Sequence, residues 1–144
     1  MNVSPKPFFL DSNVWLYALL KTSNSSKQDE QKREKANALI DLPTVVVSVQ
    51  VINEVCSNLI KKSNFNENQI QRLTQSFYNG CRVVELNQES LMCASHLRTQ
   101  HSLSFWDGLI VAAALYSNVA TLYSEDMQDG LKISNQMEIV NPFK

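Results

Sequence analysis

Four acidic residues stand where a parallel sheet would bring them together. Asp11 directly follows the apolar run PFFL, and Asp126 lies just beyond the run ATLYS. Glu54 lies in the first turns of a helical stretch that follows the run TVVVSV, and Asp107 opens the apolar stretch FWDGLIVAAAL. Ligands of open α/β sheets bind outside the carboxyl ends of the strands. The spacing therefore suggests an acidic rim at that end of the sheet.

Carboxylates placed this closely would repel one another. Two unit charges about 4 Å apart repel by about 1 kcal/mol in water and by about 4 kcal/mol at an effective dielectric near 20. A divalent cation would remove this cost, and an all-oxygen ligand set favours Mg²⁺ or Mn²⁺ over zinc. Such an ion can activate a water and stabilise charge on a phosphoryl group. The predicted chemistry is hydrolysis of a phosphodiester bond with one or two metal ions.

Each acid also has a purely structural interpretation. Asp11 could cap the following helix, because Asp is strongly preferred at helix N-caps. Asp107 lies three residues after Ser104 and could complete a capping box. Asp126 could be a turn residue. Glu54 lies opposite the apolar stripe of its helix, so periodicity alone predicts a solvent-exposed side chain. The spacing thus suggests an acidic rim without establishing it.

Strands that alternate with helices would position these acids. β-Branched and aromatic runs predict strands, and apolar positions at a period of 3.6 predict helices. The predicted strands are 7–11, 44–49, 82–86, 120–124 and 138–140. The predicted helices are 12–20, 29–42, 51–62 capped by Ser48, 67–79 ended by Gly80, 88–100, and 105–116 capped by Ser104, with a polar loop at 21–28 and a turn at 125–130. This alternation predicts an α/β domain with a mostly parallel sheet.

Composition favours one domain spanning residues 1–144. The formal net charge is −1, and 44% of the residues are hydrophobic. Three glycines leave no P-loop and no G-x-G-x-x-G motif, which disfavours a nucleotide-cradling mechanism. Three cysteines without a C-x-x-C pair disfavour a disulfide framework or a zinc site and indicate a reducing, cytoplasmic environment. No targeting segment is evident, and the apolar run 109–116 is shorter than the roughly 20 residues that span a bilayer.

The charges are unevenly distributed along the chain. Residues 57–82 carry four basic side chains against one acidic one, whereas residues 83–144 carry three basic and seven acidic side chains. Such asymmetry can mark a polyanion-facing patch beside an acidic site, although it is more often an ordinary mixed surface.

Five segments carry a resemblance to a known family. They are FLDSNVWLY, INEV, LSFWDGLIVAAAL, LYSEDMQDG and IVNPF, and they extend in order over essentially the whole chain. Together they resemble PIN-domain ribonucleases, and more narrowly the VapC toxins of bacterial type II toxin–antitoxin systems. The resemblance implies an α/β/α sandwich with a mostly parallel central sheet, which cleaves RNA with Mg²⁺ or Mn²⁺.

The resemblance also implies a role for individual residues. The family's four motif acids match Asp11, Glu54, Asp107 and Asp126. The two aspartates at 11 and 107 are expected to bind the principal metal ion directly. The other two acids would bind it through water or hold a second metal ion. Hydrogen bonds that orient these carboxylates are expected from Ser12, Asn13 and Ser124.

Two positions depart from the family's usual pattern. Ser12 stands where the family often has Thr, a change that keeps the hydroxyl. Gly108 stands where Ala is common, and Gly is about 1 kcal/mol less favourable than Ala inside a helix. Neither departure removes a carboxylate.

Several partners follow from these expectations. RNA is the expected substrate, with structured RNAs such as transfer RNA among those to test, and its phosphates would contact Lys61, Lys62 and Arg72. The family implies a homodimer and a cognate antitoxin that occludes the acids. Two alternatives stay open: an RNA-processing PIN nuclease without an antitoxin, and a non-catalytic PIN-like binding module, against which the intact acids argue. His96 and His101 fit no nucleophile–base spacing, and we interpret both as surface or structural residues.

Overall fold

A computed structural model describes residues 6–20 and 26–144 of the chain. The strands are β1 (Phe8–Leu10), β2 (Val45–Ser48), β3 (Arg82–Val84), β4 (Thr121–Tyr123), β5 (Lys132–Ile133) and β6 (Met137–Val140). The helices are α1 (Ser12–Leu19), α2 (Lys27–Ile40), α3 (Val49–Ser63), α4 (Glu67–Gly80), α5 (Gln88–Gln100) and α6 (Phe105–Tyr116). The strands form one sheet in the order β3-β2-β1-β4-β6-β5, and all neighbours are parallel except β5 and β6.

The central strands are buried on both faces of the sheet. Every residue of β1 and β2 is buried, as continuous apolar runs in a covered parallel sheet should be. Helix α3 contacts β2 and packs with α1 and α4, whereas α6 contacts β2 and packs with α5. Two groups of helices thus cover the sheet, and the predicted α/β sandwich with a mostly parallel sheet is confirmed.

Some boundaries of the helices and strands predicted from the sequence differ from those in the structure, for identifiable reasons. Strand β2 ends at Ser48 rather than at residue 49, because Ser48 caps α3 and its hydroxyl accepts a hydrogen bond from the N–H of Val51. Helix α2 begins at Lys27 because Ser26 forms a capping box with Asp29, so the predicted loop 21–28 is two residues too long. Residues 21–25 of that loop lie outside the described residues. Strand β5 was not predicted.

The cysteines and the longest apolar helix have ordinary structural roles. Cys56 is buried, and burial raises the pKa of its thiol, while burial raises the pKa of Cys81 to about 11. Helix α6 is buried from Gly108 to Ala114, which explains its nearly uninterrupted apolar sequence. Across the part of the chain that the structure describes, no helix is long and apolar enough to cross a membrane.

Candidate active site

The neighbouring strands β1 and β4 bring the first site residues together. Leu10 and Tyr123 are partners in the parallel register, and the N–H of Asp11 donates to the carbonyl of Tyr123 at 3.0 Å. The residues that follow the two strands, Asp11 and Ser124, therefore lie side by side. The Ser124 hydroxyl donates to Asp11 Oδ2 at 2.9 Å.

Asp11 is a buried carboxylate with several donors. It is only 4% exposed, and it caps α1 by accepting a hydrogen bond from the N–H of Ser12 at 2.7 Å. The pKa of Asp11 is raised to about 6, chiefly by burial and also by the charges of Glu54 and Asp107, while hydrogen bonds from Ser124 and Ser12 act in the opposite direction. The cap accounts for one carboxylate oxygen. The other oxygen is held within the acidic rim, so both interpretations of Asp11 apply.

Glu54 is turned toward Asp11 rather than toward solvent. Its side chain is half-buried, and its Oε2 accepts a hydrogen bond from the Ser12 hydroxyl at 2.8 Å. Its Oε1 accepts a hydrogen bond from Gln50 Nε2, also at 2.8 Å. The solvent-exposed position predicted from periodicity is therefore wrong. The reason is that α3 packs on α1 as well as on the sheet, so its polar side faces the start of α1.

Asp107 and Asp126 complete the rim from α6 and from the segment after β4. Asp107 is half-buried, and its N–H donates to the Ser104 hydroxyl at 3.1 Å, which is the expected helix cap. Burial raises the pKa of Asp107, as do the charges of Asp126 and Glu54, while a hydrogen bond from Ser104 lowers it. Asp126 is exposed. Glu54 and Asp107 contribute to the raised pKa of Asp11, and Asp126 and Glu54 contribute to that of Asp107, so the four acids lie near one another at this end of the sheet.

Asn13 ties the cluster together. Its Nδ2 lies 3.4 Å from Asp11 Oδ2, 3.4 Å from Ser124 Oγ and 3.1 Å from Asp126 Oδ2. Its Oδ1 accepts the backbone N–H of Glu125 at 3.1 Å. One amide side chain therefore fixes the segment that carries Asp126 relative to the buried Asp11.

A second set of contacts, which the sequence did not predict, holds the same segment from outside. Glu125 accepts a hydrogen bond from the Tyr17 hydroxyl at 2.8 Å and pairs with Lys32 Nζ at 2.7 Å. Lys32 Nζ also lies 5.1 Å from the centre of the Tyr17 ring and 5.8 Å from that of Phe143. We call Tyr17, Lys32, Glu125 and Phe143 the outer clamp. Lys32 is one of several charged residues on α2, and nothing in its local sequence distinguishes it.

The donor chemistry of the rim fits a hard divalent cation. Its ligands would all be carboxylate oxygens, and a cation would favour the ionised forms of Asp11 and Asp107, whose pKa values are raised. Among residues 6–20 and 26–144, no group of three His, Cys, Asp or Glu side chains is already arranged to hold one ion. The carboxylates are instead held by hydroxyl and amide donors, so binding would require side-chain adjustment.

The three residues predicted to contact RNA lie at different positions relative to the acidic rim. Lys61, Lys62 and Arg72 are all exposed, the first two in the last turn of α3. Only Lys62 lines a pocket of about 300 Å³ that also contains Asn13 of the rim, and Arg33 lines the same pocket. His96 is exposed on α5, and the half-buried His101 ends that helix by donating its N–H to the carbonyl of Leu97.

A larger groove opens on the other side of Glu54. Its volume is about 960 Å³, and its lining includes Gln50, Asn53, Glu54, Glu85, Leu86 and Trp106. Trp106 lies in the first turn of α6, before the buried part of that helix, and is 63% exposed. The groove is therefore continuous with the acidic rim and ends at an exposed indole.

The fold together with this acidic strand end defines the class of protein. The profile of the PIN domain family matches residues 8–129, and the chain belongs to that family. The resemblance found in the sequence is thus confirmed at the level of the family. A comparison with curated proteins found no match.

Three of the solved structures with a similar fold are a toxin or a toxin–antitoxin complex. A toxin–antitoxin complex from Klebsiella pneumoniae contains a chain with TM-score 0.64 and 19% identity, over 93% of this chain and 96% of that chain. VapC20 from Mycobacterium tuberculosis, a sarcin–ricin-loop-cleaving toxin, has TM-score 0.62 and 17% identity, over 83% and 91%. VapBC2 from Rickettsia felis, bound to a DNA fragment from its promoter, has TM-score 0.55 and 19% identity, over 83% and 87%. At these identities the likeness establishes a shared fold.

Proposed function

We propose that the protein is a divalent-metal-dependent endoribonuclease. The single observation that carries this proposal is the cluster of Asp11, Glu54, Asp107 and Asp126 at the carboxyl end of the sheet in a PIN domain, where burial and mutual repulsion raise two of the pKa values. A cluster of acids in which two carboxylates are held at a cost to their ionisation is expected where a cation is to be bound.

Each acid would act in a way that its surroundings favour. Asp11 and Asp107, the two with raised pKa values, would hold Mg²⁺ or Mn²⁺ directly, while Glu54 and the exposed Asp126 would reach it through water or with a second ion. The ion would supply positive charge that favours deprotonation of an attacking water and stabilises the phosphoryl oxygens. The attacking water would lose a proton to solvent and form a bond to phosphorus, while the P–O bond to the leaving ribose oxygen breaks and that oxygen takes up a proton.

The hydrogen-bonding residues would keep the carboxylates ionised and oriented. The Ser12 hydroxyl holds Glu54, the Ser124 hydroxyl holds Asp11, and Asn13 holds Asp126. Donors to a carboxylate favour its charged form and so favour cation binding. Loss of such supporting hydrogen bonds typically lowers metal affinity or activity by about 10- to 100-fold.

The test is cleavage of RNA by the purified protein, with total RNA and transfer RNA as substrates. We expect cleavage with Mg²⁺ or Mn²⁺ and none with EDTA. Asp107→Asn should lower the initial rate by about 100-fold or more, beyond the range for supporting residues. The matched control is Asp129→Asn, because Asp129 also follows β4 but pairs with Lys144 instead of the rim. Equal cleavage by the protein and by Asp107→Asn would reject the assignment, and loss in the Asp129 variant would point to a folding defect.

We further propose that the chain is the toxin of a toxin–antitoxin pair and acts as a homodimer in the cytoplasm. The similar folds of the Klebsiella and Rickettsia complexes support an antitoxin partner. Induced expression should arrest growth, and co-expression of a small neighbouring open reading frame should relieve the arrest. Growth unaffected by active enzyme would instead favour an RNA-processing nuclease, and sedimentation equilibrium would test the dimer.

A further inference from the structure

Trp106 is an exposed aromatic side chain at the edge of the acidic rim. It is 63% exposed, and its neighbour Phe105 is 56% exposed. The two rings meet edge to face, with centroids 5.2 Å apart. Arg98 lies over the Phe105 ring at 4.4 Å and donates to the Phe105 carbonyl at 3.1 Å. Phe105 is therefore engaged by α5, while the Trp106 ring remains available to a ligand.

The position of Trp106 connects it to two of the acids. It immediately precedes Asp107 in α6, and it lines the 960 Å³ groove together with Glu54. Gln50 Nε2 bridges the two walls, since it donates to Glu54 Oε1 at 2.8 Å and lies 3.4 Å from the Trp106 carbonyl oxygen. Any group seated against the indole therefore lies beside the rim.

The chemistry of the groove favours a nucleobase over a phosphate. Its lining contains the carboxylates of Glu54 and Glu85 and the amides of Gln50 and Asn53, and no Lys or Arg is among the lining residues that the structure describes. Phosphates would be repelled there, whereas an unpaired base could stack on the indole and pair its polar edge with an amide. The cationic residues Lys62 and Arg33 line the pocket on the Asn13 side of the rim instead.

We infer that Trp106, with Gln50 and Asn53, forms a stacking subsite for one unpaired base of the RNA next to the cleaved phosphate. This inference rests on the proposed ribonuclease function. The subsite would orient the bound RNA across the acidic rim, with a base on the Trp106 side and phosphates on the Lys62 side. The subsite requires an unpaired nucleotide, so loops and single strands would be cut and continuous duplex would not.

Binding can be measured without cleavage, in EDTA. The probe is a fluorescein-labelled 12-nucleotide RNA of mixed A and C, which is unstructured, followed by fluorescence anisotropy. Trp106→Ala should weaken binding by about 5- to 150-fold, the range typical of losing one base–aromatic stack, and Trp106→Phe should weaken it less. The matched control is Tyr78→Ala, because Tyr78 is a similarly exposed aromatic residue that does not line the groove.

Intrinsic fluorescence provides an independent readout. The chain has two tryptophans, and Trp15 is only 5% exposed and packs on Phe77. Quenching by RNA should therefore report Trp106, and it should be absent from Trp106→Phe. Thermal unfolding verifies that the variants are folded.

Three results would overturn the inference. The first is RNA binding with unchanged affinity in Trp106→Ala. The second is that Trp106→Ala loses as much affinity for a 12-nucleotide probe without bases as for the intact probe, because Trp106 would then contact the backbone. The third is no binding of the unpaired probe at all. Cleavage of structured RNA is scored separately, so the nuclease proposal survives or fails on its own assay.

Discussion

Replacing Asp11 with Asn should stabilise the protein at neutral pH while removing its activity. The pKa of Asp11 is raised from 3.8 to about 6, chiefly by burial. One pKa unit corresponds to about 1.4 kcal/mol, so the charged carboxylate costs about 3 kcal/mol relative to an unperturbed one. An amide removes that charge. The amide also loses part of the hydrogen bonding that Ser124 and Asn13 donate to Oδ2 of Asp11, and this loss should cost about 1 kcal/mol of stability. The net gain should be about 2 kcal/mol.

The sign of the pH dependence follows from the direction of the shift. Between about pH 4 and pH 6 the folded protein holds the Asp11 proton more tightly than the unfolded chain does, so stability falls as pH rises through this window. Above pH 6 both states are ionised at this residue, and the full cost is present. Near pH 4 the cost is absent. Asp11→Asn should therefore unfold at the same urea concentration as the parent protein or a slightly lower one near pH 4, where only the hydrogen-bond loss remains, and at a clearly higher one at pH 7.5.

The assay is equilibrium urea unfolding in EDTA at both pH values, with Asp129→Asn as the control. Asp129 is on the surface side of the same segment, and its replacement should change little at either pH. A variant that is less stable than the parent at pH 7.5 would refute the reasoning. So would a gain of equal size at both pH values, since it could not arise from ionisation. RNA cleavage by Asp11→Asn should fall by at least about 100-fold, more than loss of a supporting hydrogen bond would produce.

Two further perturbations test the surroundings of the rim. Lys32→Met should lower the free energy of unfolding in urea by about 1–3 kcal/mol, because it leaves Glu125 half-buried without its cation. It should also lower the rate of RNA cleavage by about 3- to 10-fold, because the neighbouring Asp126 would be positioned less well. An unchanged rate would reject a positioning role for the outer clamp. Gly108→Ala should not give the usual gain in helix stability of about 1 kcal/mol, because the new methyl group would lie 2.7 Å from Arg98 Cγ. The gain should reappear when Arg98 is also replaced by Ala. Additive changes in the free energy of unfolding would show that the two positions do not interact.

The fold could be predicted where one strand carries enough signal by itself. The β-branched run at 45–48 and the aromatic run at 8–10 are fully buried strands. Strand β5 has only two residues, Lys132 and Ile133, and it is held by antiparallel pairing with β6. A two-residue strand has too little sequence for alternation to be visible, and its pairing is a long-range property.

Gly108 shows that the effect of a residue unusual for the family cannot be judged without knowing which side chains contact it. From composition alone it indicates a looser helix, since Gly is unfavourable there. In the structure it lies against the Arg98 side chain, which in turn holds Phe105. The helix loses some intrinsic propensity, and α5 and α6 approach closely at that position. Sequence periodicity does not report such a contact between helices.

The acids themselves were only partly predictable, because each one has a local role that fits it equally well. Asp11 caps α1 and Asp107 begins α6 beside its cap residue, so helix capping alone explains their presence. A helix cap needs one oxygen and can remain in water, however. A cap that is 4% exposed, next to three other carboxylates, costs more than capping contributes, which is about 1 kcal/mol. That excess appears only when β1, β4, α3 and α6 are assembled, and it is the physical reason why we propose that the rim binds a cation in addition to capping the helix.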